Sequence, residues 1–154
     1  MEIGIVAVGK LRPYYRQAAD DYGRRLKRYV TLHELEVREA SRAPTVQAQL
    51  ADEAKRLGSK IPPGAAIVTL TREGSSWSSR DLAMQLDRWL LISRPVMLLI
   101  GGSNGLDAAL LARADWRWSL GPLTLPHELA RVVVLEQLYR AFTILRGEPY
   151  HKGV

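Results

Sequence analysis

The chain alternates short apolar runs with stretches of helical periodicity along its whole length. The apolar runs predict strands at 2–8, 32–37, 66–70, 96–100 and 116–119. Apolar residues at helical spacing predict helices over 14–29, 45–57, 78–90, from about 107, and 126–145. Ser78, with Asp81 three residues later, predicts a capping box at the start of the third helix. Strict βα alternation indicates an α/β fold in which a mostly parallel sheet has helices on both faces.

Length and composition limit the class of protein. At 154 residues, residues 1–154 are expected to form a single domain. A content of 47% hydrophobic and 25% charged residues is that of a globular chain. The absence of cysteine excludes disulfides, thiolate nucleophiles and zinc–cysteine sites. The apolar run 3–8 is too short to span a membrane, and basic residues follow it rather than precede it, so we expect a cytoplasmic protein.

Positive charge is concentrated in the first predicted helix. The formal net charge is +6, and Asp20 and Asp21 are the only acidic residues among the basic ones of this stretch. These basic residues are Lys10, Arg12, Arg16, Arg24, Arg25, Lys27 and Arg28. Such a run favours a polyanionic partner, although a solvated helix face in an arginine-rich protein has the same appearance.

A glycine-rich segment, Gly101 to Gly105, follows the buried strand 96–100. Ligands of parallel sheets bind beyond the carboxyl ends of the strands. Leu70, Gly101 and the loop 120–125 each follow a predicted strand, so we expect them on one edge of the sheet. Glycines also serve any tight turn, and the spacing matches neither a dinucleotide fingerprint nor a P-loop. With three histidines and no His-x-x-x-His pair, a catalytic metal site is not expected.

The last predicted helix is apolar around most of its circumference. Its apolar residues are Leu129, Val132, Val133, Val134, Leu135, Leu138, Tyr139, Ala141, Phe142, Ile144 and Leu145. A helix of this kind needs a second surface to bury it. We expect that surface to be a second copy of the chain in a homodimer; the alternative is a central helix wrapped within one chain.

Other single residues have two interpretations each. His127 either caps the last helix or contacts a ligand, and Arg131 either binds phosphate or faces water. Glu136 and Arg140 have the spacing of an ordinary i, i+4 ion pair. Trp116 and Trp118 favour a core position over stacking on bases.

Taken together, several motifs resemble one family. These are Val6-Ala7-Val8-Gly9-Lys10, Gly101-Gly102-x-x-Gly105, the loop 120–125, Leu125-Pro126-His127, the run 136–141 and Pro149-Tyr150-His151-Lys152. In order and spacing they resemble the small SPOUT-class methyltransferases of the bacterial ribosome, over essentially the whole chain. Asn104 and Gly147 depart from that pattern, because an acidic residue and an asparagine are common there.

The resemblance implies methyl transfer from S-adenosylmethionine to N3 of pseudouridine 1915 of 23S rRNA in assembled ribosomes. It also implies a homodimer and a SPOUT-type fold with a carboxyl-terminal trefoil knot. The cofactor-binding residues it implies are Leu70, Gly101, Leu120, Gly121, Pro122, Leu123, Thr124 and Leu125. It places Tyr150 and His151 at the active site, without a metal.

The chemistry leaves the general base open. A methyl sulfonium is already activated, so the enzyme must position the acceptor and remove its N3 proton. By its ordinary pKa His151 is the first candidate base, with Tyr150 as an orienting group and Glu136 or Glu148 as lesser candidates. Solvent is the alternative acceptor.

The partners expected are the ribosome and a second copy of the chain. Phosphate contacts are expected from Arg24, Arg25, Arg131, Arg140 and Lys152. Two other functions fit the same pattern of elements. One is a non-catalytic ribosome-associated protein of the same fold, and the other is a flavodoxin-like small-molecule module.

Overall fold

The computed structural model describes residues 1–153, which form alternating strands and helices. The strands are β1 Glu2–Val8, β2 Thr31–Val37, β3 Ala66–Ser76, β4 Val96–Ile100 and β5 Trp116–Ser119. The helices are α1 Pro13–Leu26, α2 Val46–Gly58, α3 Ser79–Leu91, α4 Ala108–Arg113 and α5 His127–Leu145. Each predicted element is present and in the predicted order.

All strand pairings in this part of the chain are parallel, in the order β2-β1-β4-β3-β5. Ile5 of β1 lies between Glu34 of β2 and Leu98 of β4. The predicted mostly parallel α/β sheet is confirmed. Because every strand runs the same way, all the loops that follow strands meet at one edge.

Alternate residues of the sheet enter two separate cores. Ile3, Ile5 and Ala7 of β1 belong to the core that contains residues of α1, α3 and α5. Val6 and Val8 belong to the core on the opposite face, which includes Leu57 of α2 and Leu110 of α4. Helices therefore cover both faces, as the unbroken apolar run of β1 predicts.

Helix α5 is buried by its own chain, and this corrects the argument for a partner. It packs between α1 and α3, and Val134, Leu138 and Ala141 are fully buried without a second copy. The all-round apolar surface thus has an internal explanation, so it does not by itself require a dimer. Val133 remains only half-buried.

Two predicted boundaries differ from the structure by more than one residue. Strand β3 does not end at Leu70 but continues to Ser76, with a register shift against β5 between Leu70 and Ser75. Gly74 permits the irregularity, since a Cβ there would lie 2.6 Å from the carbonyl carbon of Arg117. Helix α1 stops at Leu26 rather than residue 29, where the chain tightens into turns.

Local signals explain where α3 begins and how β5 packs. Ser78 Oγ accepts from the Asp81 amide and Asp81 Oδ2 accepts from the Ser78 amide, each at 3.0 Å, forming the predicted capping box. Trp118 is buried and stacks at 6.0 Å on Trp77, while Trp116 lies 5.7 Å from Trp89. The core interpretation of the β5 tryptophans is confirmed.

Within residues 1–153, no helix combines the length and apolar character needed to cross a membrane. The trefoil knot implied by the family resemblance concerns how the chain threads through itself. Strand order and pairing do not trace that threading, so the knot stays a prediction.

Leu138→Ala tests the internal burial of α5. Leu138 is 0% exposed, so we expect truncation to lower the free energy of unfolding by about 2–5 kcal/mol. Leu145→Ala, on the same helix at 38% exposure, is the matched control and should change it little. Urea unfolding measures both variants. A small loss in the free energy of unfolding for Leu138→Ala, similar to that of the control, would show that α5 is not buried in the core.

Candidate active site

A cavity of about 550 Å³ opens at the carboxyl edge of the sheet; we call it the rim cavity. Most of the residues expected to bind cofactor line it, namely Leu70, Gly101, Leu120, Gly121, Leu123, Thr124 and Leu125. Pro122 lies in the same loop but is not part of the lining. The structure thus brings together residues up to 55 positions apart in sequence, and their role as ligands of a cofactor stays a prediction.

The glycines of the rim cavity are required by the backbone itself. Gly102 and Gly105 form an isolated bridge, and Gly105 has a φ of +79°. A Cβ at Gly101 would lie 2.3 Å from the Gly105 carbonyl oxygen. The tight-turn interpretation of the segment is therefore confirmed, and the segment also forms a cavity wall, while its binding of a ligand stays a prediction.

The extension of β3 supplies a wall that sequence reasoning missed. Thr71, Arg72 and Glu73 line the rim cavity, and Arg72 Nη1 donates to Thr124 Oγ1 at 3.0 Å. This hydrogen bond joins the β3 extension to the loop 120–125. The apolar pattern ends at Leu70, so nothing in the local sequence pointed to these charged residues.

The amino-terminal end of α5 is attached to the same edge of the sheet. His127 lines the rim cavity, which favours its ligand interpretation over a simple cap. The buried carboxylate of Glu128 accepts hydrogen bonds from the backbone amide and the Nε of Arg12. Those hydrogen bonds hold the pKa of Glu128 below its ordinary value, so it stays charged at neutral pH.

Arg131 is a structural residue, and its predicted role in RNA binding is wrong. Its side chain is 1% exposed. Nη1 donates to the carbonyl oxygen of Gly9 at 3.1 Å, and Nη2 donates to Glu36 Oε2 at 2.8 Å. A guanidinium held in this way cannot reach a phosphate outside the protein.

Four polar residues meet near the other end of α5, and we call them the tail cluster: Glu136, Arg140, Tyr150 and His151. Arg140 Nη2 and Nε donate to Glu136 Oε1 at 2.6 and 2.9 Å, and the Tyr150 hydroxyl donates to the same oxygen at 3.2 Å. Burial and the Glu136 carboxylate raise the pKa of Tyr150 to about 12. Its phenol therefore stays protonated at neutral pH and is not a base.

The position of Arg140 determines which nitrogen of His151 carries the proton. Arg140 Nη1 lies 3.2 Å from Nδ1 of His151, and a guanidinium has no acceptor atom. Nδ1 must therefore accept, which places the proton of the neutral ring on Nε2. Nε2 is buried and has no partner among residues 1–153. In this arrangement His151 presents a hydrogen-bond donor.

The remaining tail and α1 residues extend the tail cluster with aromatic rings and cations. Tyr139 contacts Tyr150 at 4.6 Å between ring centroids, and the Arg25 guanidinium lies 5.5 Å from the Tyr139 ring. Arg24 and Arg25 both pair with Asp21. Lys152 is exposed, and Glu148 accepts from the Tyr29 hydroxyl at 2.6 Å. Arg25 and Arg140 thus accompany the two predicted catalytic residues.

One chain does not bring the tail cluster to the rim cavity. Ala130 lines the cavity and Arg140 holds the tail. They are ten residues apart on α5, which corresponds to about 15 Å at 1.5 Å per residue. The expectation that Tyr150 and His151 reach the cofactor region is not met within a single chain.

The two departures from the family pattern have simple structural settings. Asn104 donates from Nδ2 to Gln49 Oε1 at 3.3 Å, joining the glycine-rich turn to α2. Gly147 has a φ of +66°, a conformation that asparagine adopts more readily than most residues. No group of three or more potential metal-ligating side chains occurs within 1–153.

The chain is similar to methyltransferases in sequence. The family model described as a predicted SPOUT methyltransferase matches residues 1–151. Ribosomal RNA large subunit methyltransferase H of Pseudomonas putida W619 is 43% identical over 99% of this chain and 100% of that protein. The protein of the same name from Azotobacter vinelandii is also 43% identical, over the same shares of the two chains.

Solved structures share the fold at low sequence identity. A probable methylase family protein from Haemophilus influenzae Rd KW20 aligns with a TM-score of 0.56 at 13% identity, over 98% of this chain and 70% of the other. The SpoU methyltransferase AviRb from Streptomyces viridochromogenes aligns with a TM-score of 0.50 at 14% identity, over 96% of this chain and 61% of that protein.

Arg131→Ala separates a structural role from RNA binding. Removing the guanidinium leaves the Gly9 carbonyl and Glu36 without their partner, and we expect a loss of about 3 kcal/mol in the free energy of unfolding. Arg24→Ala, at 71% side-chain exposure, is the control and should leave stability unchanged. Thermal and urea unfolding report the difference, and an unchanged stability for Arg131→Ala would contradict the structural assignment.

Proposed function

The chain belongs to the SPOUT methyltransferase family, and we propose that it methylates N3 of pseudouridine 1915 of 23S rRNA in assembled ribosomes, with S-adenosylmethionine as methyl donor. The observation that carries the proposal is the rim cavity, where the residues assigned to the cofactor by family resemblance meet. The relatives named as ribosomal RNA large subunit methyltransferases support the RNA substrate. With ribosomes as the proposed substrate, the location that we propose is the cytoplasm.

The rim cavity fits a nucleoside cofactor in size and chemistry. Its volume of about 550 Å³ lies within the range usual for small-molecule sites, about 300–1,000 Å³. Its apolar walls, from Ile100, Leu106 and Leu120 among others, suit a flat heterocycle. Arg72 and Glu73 bring opposite charges to the same lining, which suits the zwitterionic amino-acid end of S-adenosylmethionine.

The bound cofactor would supply a methyl group on a positively charged sulfur, transferred to N3 as the carbon–sulfur bond breaks. The chain's residues must hold the target base in line with that methyl group and let the N3 proton leave. No metal is needed for either task.

The hydrogen bonds of the tail cluster favour solvent as the proton acceptor. Glu136 already accepts from Arg140 and Tyr150, and Glu148 accepts from Tyr29. The Nε2–H of His151 is buried within one chain, so it would donate to a uracil-type carbonyl beside N3 only once the tail shifts on RNA binding. In this assignment His151 withdraws electron density from the base, which makes the N3 proton more acidic, and water takes that proton.

The distance between the two halves of the site supports a homodimer. The rim cavity and the tail cluster lie near opposite ends of α5 within a chain, so one protomer does not complete the site alone. A second copy would bring its tail cluster, with Arg25 and Arg140, to the rim cavity of the first. The proposal of a dimer therefore rests on the divided site rather than on the apolar surface of α5.

Methyl transfer to assembled ribosomes tests the proposed function. We expect incorporation of labelled methyl from S-adenosylmethionine into 23S rRNA at position 1915, and calorimetric binding of the cofactor without ribosomes. Gly101→Val, which forces a Cβ against the Gly105 carbonyl, should abolish both. Thr124→Trp fills the rim cavity from an exposed position and should do the same while folding normally.

Binding of the cofactor without methyl transfer to any ribosome would leave the non-catalytic RNA-binding protein as the function. Absence of cofactor binding at millimolar concentration would reject the methyltransferase proposal altogether.

Mixing two inactive variants tests the composite site. His151→Ala removes the tail function and Thr124→Trp blocks the rim cavity, so neither protein alone should methylate ribosomes. After co-refolding, random assortment makes half of the dimers mixed, and each mixed dimer has one intact composite site. We expect recovery of about one quarter of the wild-type activity per chain. If each site belonged to one chain, mixing would restore nothing.

A further inference from the structure

A second cavity, of about 880 Å³, lies beside the rim cavity at the carboxyl edge. It is bounded by the end of β1, the end of β2 and the segment 38–45, and we call it the loop cavity. Its charged lining residues are Lys10, Glu36, Arg38, Glu39, Arg42, Asp52 and Arg56. Neither the cofactor nor the tail cluster uses it in the function proposed above.

Within residues 1–153, none of the four cations of the loop cavity has a carboxylate partner, and three of them stay free, since the fourth, Arg56, donates to the Arg38 carbonyl oxygen. Lys10, Arg38 and Arg42 are exposed and form no salt bridge there. Among the carboxylates, Glu36 is already paired with the buried guanidinium of Arg131. Glu39 and Asp52 form no salt bridge either, so the unpaired charge of the lining is positive, with four cations against two carboxylates.

The segment that carries Arg38 and Arg42 is held in place by α2. The Ala40 amide donates to the buried Glu53 at 3.0 Å, and Arg56 Nη1 donates to the Arg38 carbonyl oxygen at 2.8 Å. Both contacts are to backbone groups of the segment, so its guanidinium groups stay free. Fixing the backbone in advance reduces the entropy lost when these side chains bind a ligand.

The two cavities adjoin at two points. A Cβ added at Gly102 of the rim cavity would lie 3.7 Å from Glu39 Oε1 of the loop cavity. A Cβ added at Gly9 of the loop cavity would lie 3.6 Å from Nε2 of His127 in the rim cavity. A strand of nucleic acid with one base at the rim cavity would pass beside these cations.

We infer that the loop cavity binds phosphates of the RNA strand whose target base lies at the mouth of the rim cavity, beside the cofactor proposed there, through Lys10, Arg38 and Arg42. This inference rests on the proposed function, because it takes RNA as the substrate. It adds to the phosphate contacts predicted from sequence, of which the one from Arg131 is lost because that side chain is buried. Phosphate contacts of this kind position the RNA without reading its sequence.

Neutralising the three cations tests the inference. The variant carries Lys10→Gln, Arg38→Gln and Arg42→Gln, which keep most of each side chain. We expect ribosome binding weaker by on the order of tenfold or more, and a salt dependence reduced by about 0.7 in log–log slope for each phosphate that the variant no longer neutralises. The KM for ribosomes should rise, while kcat at saturation and the Kd for S-adenosylmethionine stay unchanged.

Two further variants serve as controls. Lys27→Gln, Lys60→Gln and Arg94→Gln remove the same charge from loops at the opposite edge of the sheet and should leave the salt slope unchanged. Lys10→Arg, Arg38→Lys and Arg42→Lys keep the charge and should retain wild-type binding. Thermal unfolding and cofactor binding are measured for every variant.

The outcomes separate this inference from the proposed function. If the wild type methylates ribosomes and the loop-cavity variant keeps its affinity and salt slope, the inference is overturned and the function stands. An equal weakening of binding in the opposite-edge control, or a failure of the loop-cavity variant to bind cofactor, also overturns it. If the wild type shows no methyl transfer, the proposed function fails whatever the loop-cavity variant does.

Discussion

The rest of the structure depends on how α5 is held. Its middle is buried between α1 and α3, and its first turns are attached to the carboxyl edge through Glu128 with Arg12 and through Arg131 with Gly9 and Glu36. A buried guanidinium that satisfies a backbone carbonyl and a carboxylate is costly to disturb, because its removal leaves both groups unpaired. These contacts fix the position of helix α5, and its two halves carry different parts of the candidate active site.

The two halves of α5 contribute different groups to the candidate active site. The amino-terminal end, with His127 and Ala130, closes the rim cavity, and the carboxyl-terminal half organises Tyr150 and His151 through Glu136 and Arg140. If the rim cavity holds the methyl donor and the tail cluster contacts the target base, as we propose, the two lie about 15 Å apart along α5 of one chain, and the proposed second copy would complete the site. The cations of the loop cavity would then guide the RNA backbone toward the same edge.

Most of the fold was predictable from residue patterns, but the identity of the residues in the candidate site was predictable only in part. The strands β1, β4 and β5 and the capping box of α3 follow from apolar runs and local hydrogen-bonding chemistry, so they match their predictions closely. The edge on which Leu70, Gly101 and the loop 120–125 meet follows from the geometry of parallel sheets. Which residues of those loops bind a cofactor came from family resemblance, because glycines and leucines have no chemistry of their own that identifies a ligand. The extension of β3 through Arg72 was missed, since a polar bulge at the edge of a sheet has no periodic signal.

The sequence by itself determined the order and type of the elements, the parallel sheet and the edge at which loops gather, because hydrophobic periodicity and capping act over a few residues. Only the tertiary structure decided which charged side chains are buried and which groups they pair with. Arg131 and Arg140 are both arginines of the same apolar helix. The Arg131 guanidinium is buried against Gly9 and Glu36, whereas the Arg140 guanidinium contacts His151 of the tail. Likewise the apolar surface of α5 predicted a covering partner, whereas α1 and α3 of its own chain cover most of it. Burial and pairing depend on residues far away in the chain, and only packing brings those residues together.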